Sequence, residues 1–173
     1  MDSAGLRGLQ APLKEKYRDQ PDAAVVTLRA HGDLAEDAIA CKVDTGRALI
    51  EAGLHPATGG SGLEACSGDM LLEALVACAG VTLKAVATAI DFRLHGGSVT
   101  AEGDLDFRGA LGVDRVAPVG FCEIRLAFTL DTDEPEDRRE SLLRLTERYC
   151  VVLQTLRTPP KVETKFVEKG RAK

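Results

Sequence analysis

The sequence has no tryptophan, two tyrosines and five phenylalanines. So sparse an aromatic set offers no stacking platform for the bases of a single-stranded nucleic acid. A basic surplus is missing too: 22 Lys and Arg stand against 27 Asp and Glu, a net charge of −5. Domains that bind nucleic acid phosphate or anionic lipid gain affinity from basic patches that release counterions, so neither partner is expected. The three histidines, His31, His55 and His95, are scattered, and no two of the five cysteines form a CxxC pair. Metal-ligand spacing is absent, and the expectation is a protein without metal or cofactor. Residues 1–7 carry no basic start leading into an apolar run. No secretory signal is expected and the location is read as cytoplasmic. In that setting Cys41, Cys66, Cys78, Cys122 and Cys150 read as thiols rather than as a disulfide framework.

What is present is ordinary globular material: 173 residues, 45% apolar and 28% charged. Residues 1–22 read as a polar N-terminal arm, with a short helix around 13–18, and residues 23–173 as one domain. Residues 23–30 and 37–44 read as strands, and 55–62, with His55-Pro56 and Gly59-Gly60-Ser61-Gly62, as a turn-rich loop. Ser67 or Asp69 then caps a long apolar helix. Residues 70–90 are long enough to cross a bilayer. Glu73 and Lys84 lie inside that stretch, and charges are costly at membrane depth, so it reads as the buried central helix of a soluble protein. Gly80 in its middle suggests the close approach of another backbone.

Residues 98–107 and 121–130 alternate apolar and polar, as antiparallel strands with one wet face do, around a loop at 108–115. Asp133 and Pro135 open a second helix whose core stripe is Leu145, Tyr149, Val152 and Leu156, ended by Thr158-Pro159-Pro160. A closing strand is expected over 161–167. The order β–β–helix–β–β–helix–β makes an α+β domain.

Cysteine usually packs as a small apolar group. Cys41 and Cys122 fall on the apolar faces of their strands and read as core filler. Cys66 reads as a loop thiol, too far along the helix from Cys78 for a disulfide. Cys78 sits mid-helix with Leu71, Ala74, Leu75, Thr82 and Ala85 on its side. An apolar setting alone raises a thiol pKa, so a cation from elsewhere would be needed to activate it. Cys150 falls off the expected core stripe, among Arg139, Thr146, Gln154 and Arg157.

The run from Ser67 to Cys78, Ser-Gly-Asp-Met-Leu-Leu-Glu-Ala-Leu-Val-Ala-Cys, resembles the first cysteine motif of the OsmC/Ohr family. The approach through Gly59-Gly60-Ser61-Gly62 is similar to that of one branch. Glu147-Arg148-Tyr149-Cys150-Val151-Val152 resembles the second motif, and the likeness runs over residues 23–168. The resemblance implies an α+β fold of two long central helices on curved antiparallel sheets. It also implies an intertwined homodimer with active sites at the subunit interface. The chemistry implied is a thiol peroxidase. Cys78 attacks an organic hydroperoxide as thiolate, Cys150 resolves the sulfenic acid as a disulfide, and an external dithiol restores both. The family lowers the pKa of its first cysteine with an arginine held by a glutamate. Here Asp69 takes the glutamate position, Gly68 the place of a proline, and Arg47 is the first candidate arginine, with Arg29 second. Val151 replaces a proline after the second cysteine, which implies a helix unbroken through Cys150. Two other readings stand beside this one. One is a non-catalytic binding protein for an apolar small molecule at the dimer interface. The other is a thiol redox sensor.

Overall fold

The computed structural model describes residues 2–20, 23, 27, 31–34, 40–44 and 49–167, with the backbone alone for 13, 31–34 and 40–44. The N-terminal arm carries a longer helix than the sequence suggested: α1 runs Ser3–Asp19. Asp2 caps it by accepting from the Gly5 N–H at 2.8 Å. The strand expected over 23–30 lies outside the described residues apart from Ala23 and Thr27.

Strands β1 (His31–Leu34), β2 (Ala40–Asp44) and β3 (Leu49–Gly53) form an antiparallel meander. The short β4 (Ala65–Cys66) joins β3 in parallel through Ala52↔Ala65 and Gly53↔Cys66. This parallel bridge delivers the chain directly into α2 (Ser67–Ala89), so the sheet fixes where the long helix starts. The cap position is Cys66, not Ser67 or Asp69, and Asp69 lies in the first turn against the positive helix end.

After α2, strands β5 (Gly96–Leu105) and β6 (Phe121–Asp131) pair antiparallel from Gly96↔Asp131 to Leu105↔Phe121. The register shifts at Asp104/Leu105, where Asp104 faces Glu123 and Leu105 faces Phe121. Cys122 is the extra residue of this bulge, and the bulge turns it out to solvent. It is therefore not core filler. Gly103 is needed beside the bulge, because a Cβ there would come within 2.5 Å of the Phe121 ring. The loop expected over 108–115 begins inside a short helix, α3 (Phe107–Ala110), capped by Asp106.

Helix α2 buries one stripe, Leu75, Ala79, Leu83, Val86 and Ala87. Its C-terminal half packs with Phe92 and Leu142 against Phe128, Leu130 and Leu145. Its N-terminal half packs with Cys150 against β5, β6 and the last helix. Only 22% of its most apolar stretch is buried, so it is not a helix buried all round. Among the described residues Gly80 meets no other backbone; a Cβ there would touch Val99 at an ordinary 3.8 Å.

A buried carboxylate joins the end of α2 to the start of α4 (Glu136–Tyr149). Glu134 accepts from the Arg93 N–H at 2.9 Å and pairs with Arg138 at 3.0 Å. Arg138 in turn donates to the carbonyls of Ile90 and Asp91, both at 3.0 Å. These bonds fill the carbonyls that a helix end leaves free. They also set α4 alongside α2 and so fix the height of residue 150 against residue 78.

The second helix is not continuous. It breaks at Cys150, whose ψ of 106° is extended, and resumes as α5 (Val151–Arg157). The break costs few hydrogen bonds. The Cys150 N–H still donates to Thr146 and its carbonyl accepts from Gln154, each at 2.9 Å. The Gln154 side chain covers the Glu147 carbonyl at 2.7 Å. The true core stripe is Leu142, Thr146 and Cys150, each 0% exposed, while Tyr149 is 58% exposed. An apolar-only reading misses this stripe because it contains a threonine. Thr146 can be buried because its hydroxyl donates to the Leu142 carbonyl at 2.8 Å. The closing strand over 161–167 does not form; the segment is exposed and pairs with no strand among the described residues.

Candidate thiol site

Two helices bring two sulfurs together. Cys78 lies mid-way along α2, half-buried, and Cys150 lies at the α4–α5 break, fully buried. Leu75 and Ala79 of α2 share a packed cluster with both thiols, and Val99, Ala101, Leu126 and Leu153 close it. Cys78 packs against Cys150 in this cluster, and each thiol shifts the titration of the other.

The surroundings push the two thiols apart. Burial pushes Cys78 up, but four donors outweigh it: the Val152 N–H, the Cys150 thiol, the Thr82 hydroxyl and the Val151 N–H. The net result is a thiol more acidic than an ordinary cysteine. The two amides are free to donate because α5 starts at Val151, so the helix break is what supplies them. Cys150 goes the other way. Burial raises it first, and the hydrogen bond to Cys78 and the negative charge there raise it further, against the N–H groups of Leu153 and Val152. The reduced pair thus favours one thiolate, on Cys78, and one thiol, on Cys150. That pairing suits a nucleophile with a neighbouring proton-bearing partner.

Among the described residues, the groups acting on the Cys78 sulfur are neutral donors, not the cation that an apolar setting led us to expect. Asp69 is exposed in the first turn of α2, nine residues and roughly 14 Å of helix rise from Cys78. Arg47 and Arg29 lie outside the described residues, and so does the Cys41 side chain. Cys66, at the start of α2, is about 18 Å of helix rise from Cys78. Among the described residues no cluster of three His, Cys, Asp or Glu could hold a metal.

The sequence pattern placed Thr82 on the Cys78 face but gave it no role, and it missed the Val151 and Val152 amides. The threonine could have been found from its spacing of one helical turn. The amides could not, because they depend on a helix break that a valine does not announce.

Beside the pair, an open cleft of about 510 Å³ runs between β6 and the last two helices. Ile124, Leu126 and Leu153 belong both to its wall and to the cluster that holds the thiols. Its rim carries Cys122 and an ion pair between Arg157 and Glu147 at 3.0 Å.

The OsmC-like protein profile matches residues 60–165, which include both cysteines and every element of the thiol site. Solved structures agree at the level of the fold. An OsmC-like protein from Mycoplasma pneumoniae has TM-score 0.64 at 16% identity, covering 78% of this chain and 89% of its own. An organic hydroperoxide resistance protein OsmC from Legionella pneumophila, described as a predicted redox protein, has TM-score 0.58 at 18% identity, covering 78% and 92%. The organic hydroperoxide resistance protein OhrB of Bacillus subtilis has TM-score 0.52 at 17% identity, covering 79% and 94%. Among curated protein sequences none matches this chain. With an α+β fold of this arrangement and a profile match over more than half its length, the chain belongs to the OsmC-like family.

Proposed function

We propose that this protein is a cysteine-dependent peroxidase that reduces organic hydroperoxides, acting in the oxidative stress response of the cytoplasm. The observation that carries the reading is the contact between Cys78 and Cys150, with the first thiol made more acidic and the second less. Support also comes from family membership and from relatives of the same fold named for hydroperoxide resistance.

In the first step the Cys78 thiolate attacks the terminal peroxide oxygen. An S–O bond forms, the O–O bond breaks, and the alkoxide leaves and takes a proton to become an alcohol. Cys78 is now a sulfenic acid. In the second step the Cys150 sulfur attacks the Cys78 sulfur. The disulfide forms, and the hydroxyl of the sulfenic acid leaves with the Cys150 proton as water. An external dithiol then reduces the disulfide and is itself oxidised. Asp69 and Arg47 are the proposed supporting carboxylate and cation, brought to the site in the assembled protein.

We take that assembly to be a homodimer. The outer face of α2 leaves Ala74, Ala77, Val81 and Ala85 exposed, with Val81 at 72%. Small residues one turn apart let another helix approach closely, and a second copy of α2 is the occupant proposed for this face.

Steady-state assays with cumene hydroperoxide and a dithiol reductant test the mechanism. Wild type should consume the dithiol, Cys78→Ser should be inactive, and Cys150→Ser should react once and accumulate an over-oxidisable sulfenic acid. Equal turnover by wild type and Cys78→Ser would refute it.

A further inference from the structure

Helix α4 ends at Tyr149, and the chain is extended at Cys150 before α5 begins. In an unbroken helix the Val151 N–H would fill the Glu147 carbonyl, four residues back. The break takes that donor away, and a half-buried carbonyl left without one is costly. The Gln154 side chain supplies the replacement. Its Nε2 donates to the Glu147 carbonyl at 2.7 Å, seven residues back and across the break. Three residues further along the same face of α5, Arg157 pairs with the Glu147 carboxylate at 3.0 Å.

The two links differ in strength. The Arg157 and Glu147 side chains are 52% and 44% exposed, and an ion pair in water holds weakly. Gln154 is half-buried and bonds to main chain. What the break carries is the Cys150 sulfur. On its α4 side Leu142, Thr146 and Cys150 are fully buried, and the Cys150 N–H donates to the Thr146 carbonyl at 2.9 Å. On its α5 side the Cys150 carbonyl accepts from the Gln154 N–H at 2.9 Å. Gln154 therefore bonds to both sides of the break, through its main chain to Cys150 and through its side chain to Glu147. Val152, Leu153 and Leu156 of α5 pack in the cluster that holds Cys78 and Cys150. The geometry of the break thus decides where the Cys150 sulfur sits against Cys78.

We propose that Gln154 is a positioning residue of the thiol pair: its carboxamide clamps the α4–α5 break and so keeps the Cys150 sulfur against Cys78. Without the clamp Cys150 spends less time in place, and the effective concentration of one thiol at the other falls. This deepens the peroxidase reading and rests on it for the reaction served, but the placement of the sulfurs can be tested without peroxide.

The test uses the full chain with Gln154→Met, which keeps the length and removes the donor, and Gln154→Lys, which restores an N–H donor on a chain of similar reach. Each protein is equilibrated in mixtures of reduced and oxidised glutathione. Oxidised glutathione takes two electrons and two protons from Cys78 and Cys150, which join as a disulfide, and becomes two reduced molecules. The Cys78–Cys150 disulfide is measured on its peptides by mass spectrometry. Gln154→Met should lower the ratio of disulfide to dithiol about three- to tenfold in a given mixture, as the loss of one hydrogen bond would. It should also open Cys150 to iodoacetamide faster than in wild type. Gln154→Lys should stay within about twofold of wild type in both. Gln154→Glu, of the same shape with the donor gone, is read as the methionine variant should that one not fold. With cumene hydroperoxide, the methionine variant should leave more sulfenic acid at Cys78 for dimedone to trap. An unchanged disulfide ratio in the donor-free variants overturns the inference, and so does a lysine variant that behaves like methionine, which would make the effect one of packing. Absence of peroxide reaction in every protein, with the disulfide ratio shifted as expected, would overturn the peroxidase reading and not the role of Gln154 at the break.

Discussion

Cys78 and Cys150 carry the same functional group and differ because of what surrounds each. Cys78 gains four donors against the cost of burial, whereas Cys150 is 0% exposed and faces a developing negative charge. A depressed thiol pKa means that the thiolate is present above it and is lost as pH falls through it. Cys78 should therefore be alkylated below the ordinary cysteine midpoint of about 8.5, and Cys150 only above it. Peptide-resolved labelling against pH checks this, and the opposite order would contradict it. The sequence singled out both cysteines through their motifs but misjudged their settings. Cys150 was expected off the core face because helical periodicity was carried through it, and the break at that residue voids the projection. Cys122 was expected inside because alternation was carried to the strand end, and a one-residue bulge reverses the side.

At the scale of elements, the α4–α5 break is the device that builds the site. It turns two amides toward Cys78 and buries the Cys150 sulfur beside it. Val151 is the first residue of α5, 71% exposed, and follows an extended residue. A proline fits such a position, since its fixed φ suits the first helical residue and its missing N–H breaks no helical bond. Val151→Pro should keep the fold, with a thermal midpoint within a few degrees of wild type. It should also remove one donor from Cys78 and move its labelling midpoint upward. A collapse of stability would show that the break is not where the structure places it. Strand and helix periodicity made α2, β5, β6 and the start of α4 legible. The strand β3 and the Glu134–Arg138 clamp were not, since five residues give little period and the clamp joins residues far apart in sequence.

The whole molecule has an apolar helix that the described residues cover on one side only. Water against Ala74, Ala77 and Val81 is unfavourable, and a second copy would remove it. Sedimentation should therefore give twice the chain mass of 18.4 kDa, and Val81→Arg should shift it toward the single chain. A monomer at micromolar concentration would remove the basis for a site shared between subunits. The α+β class was readable from element order, because long periodic segments dominate it. The exposed 161–167 segment was not, because its alternation specifies a strand and leaves the partner edge unspecified.

The central claim is that Cys78 and Cys150 form a redox pair driven by organic hydroperoxide. Free-thiol titration and intact mass after one equivalent of cumene hydroperoxide, with hydrogen peroxide as comparison, test it most directly. The account predicts rapid loss of two thiols and about two mass units, mapped to a Cys78–Cys150 disulfide and faster with the organic peroxide. Unchanged thiol count and mass over minutes, or a disulfide that excludes Cys78, would contradict it.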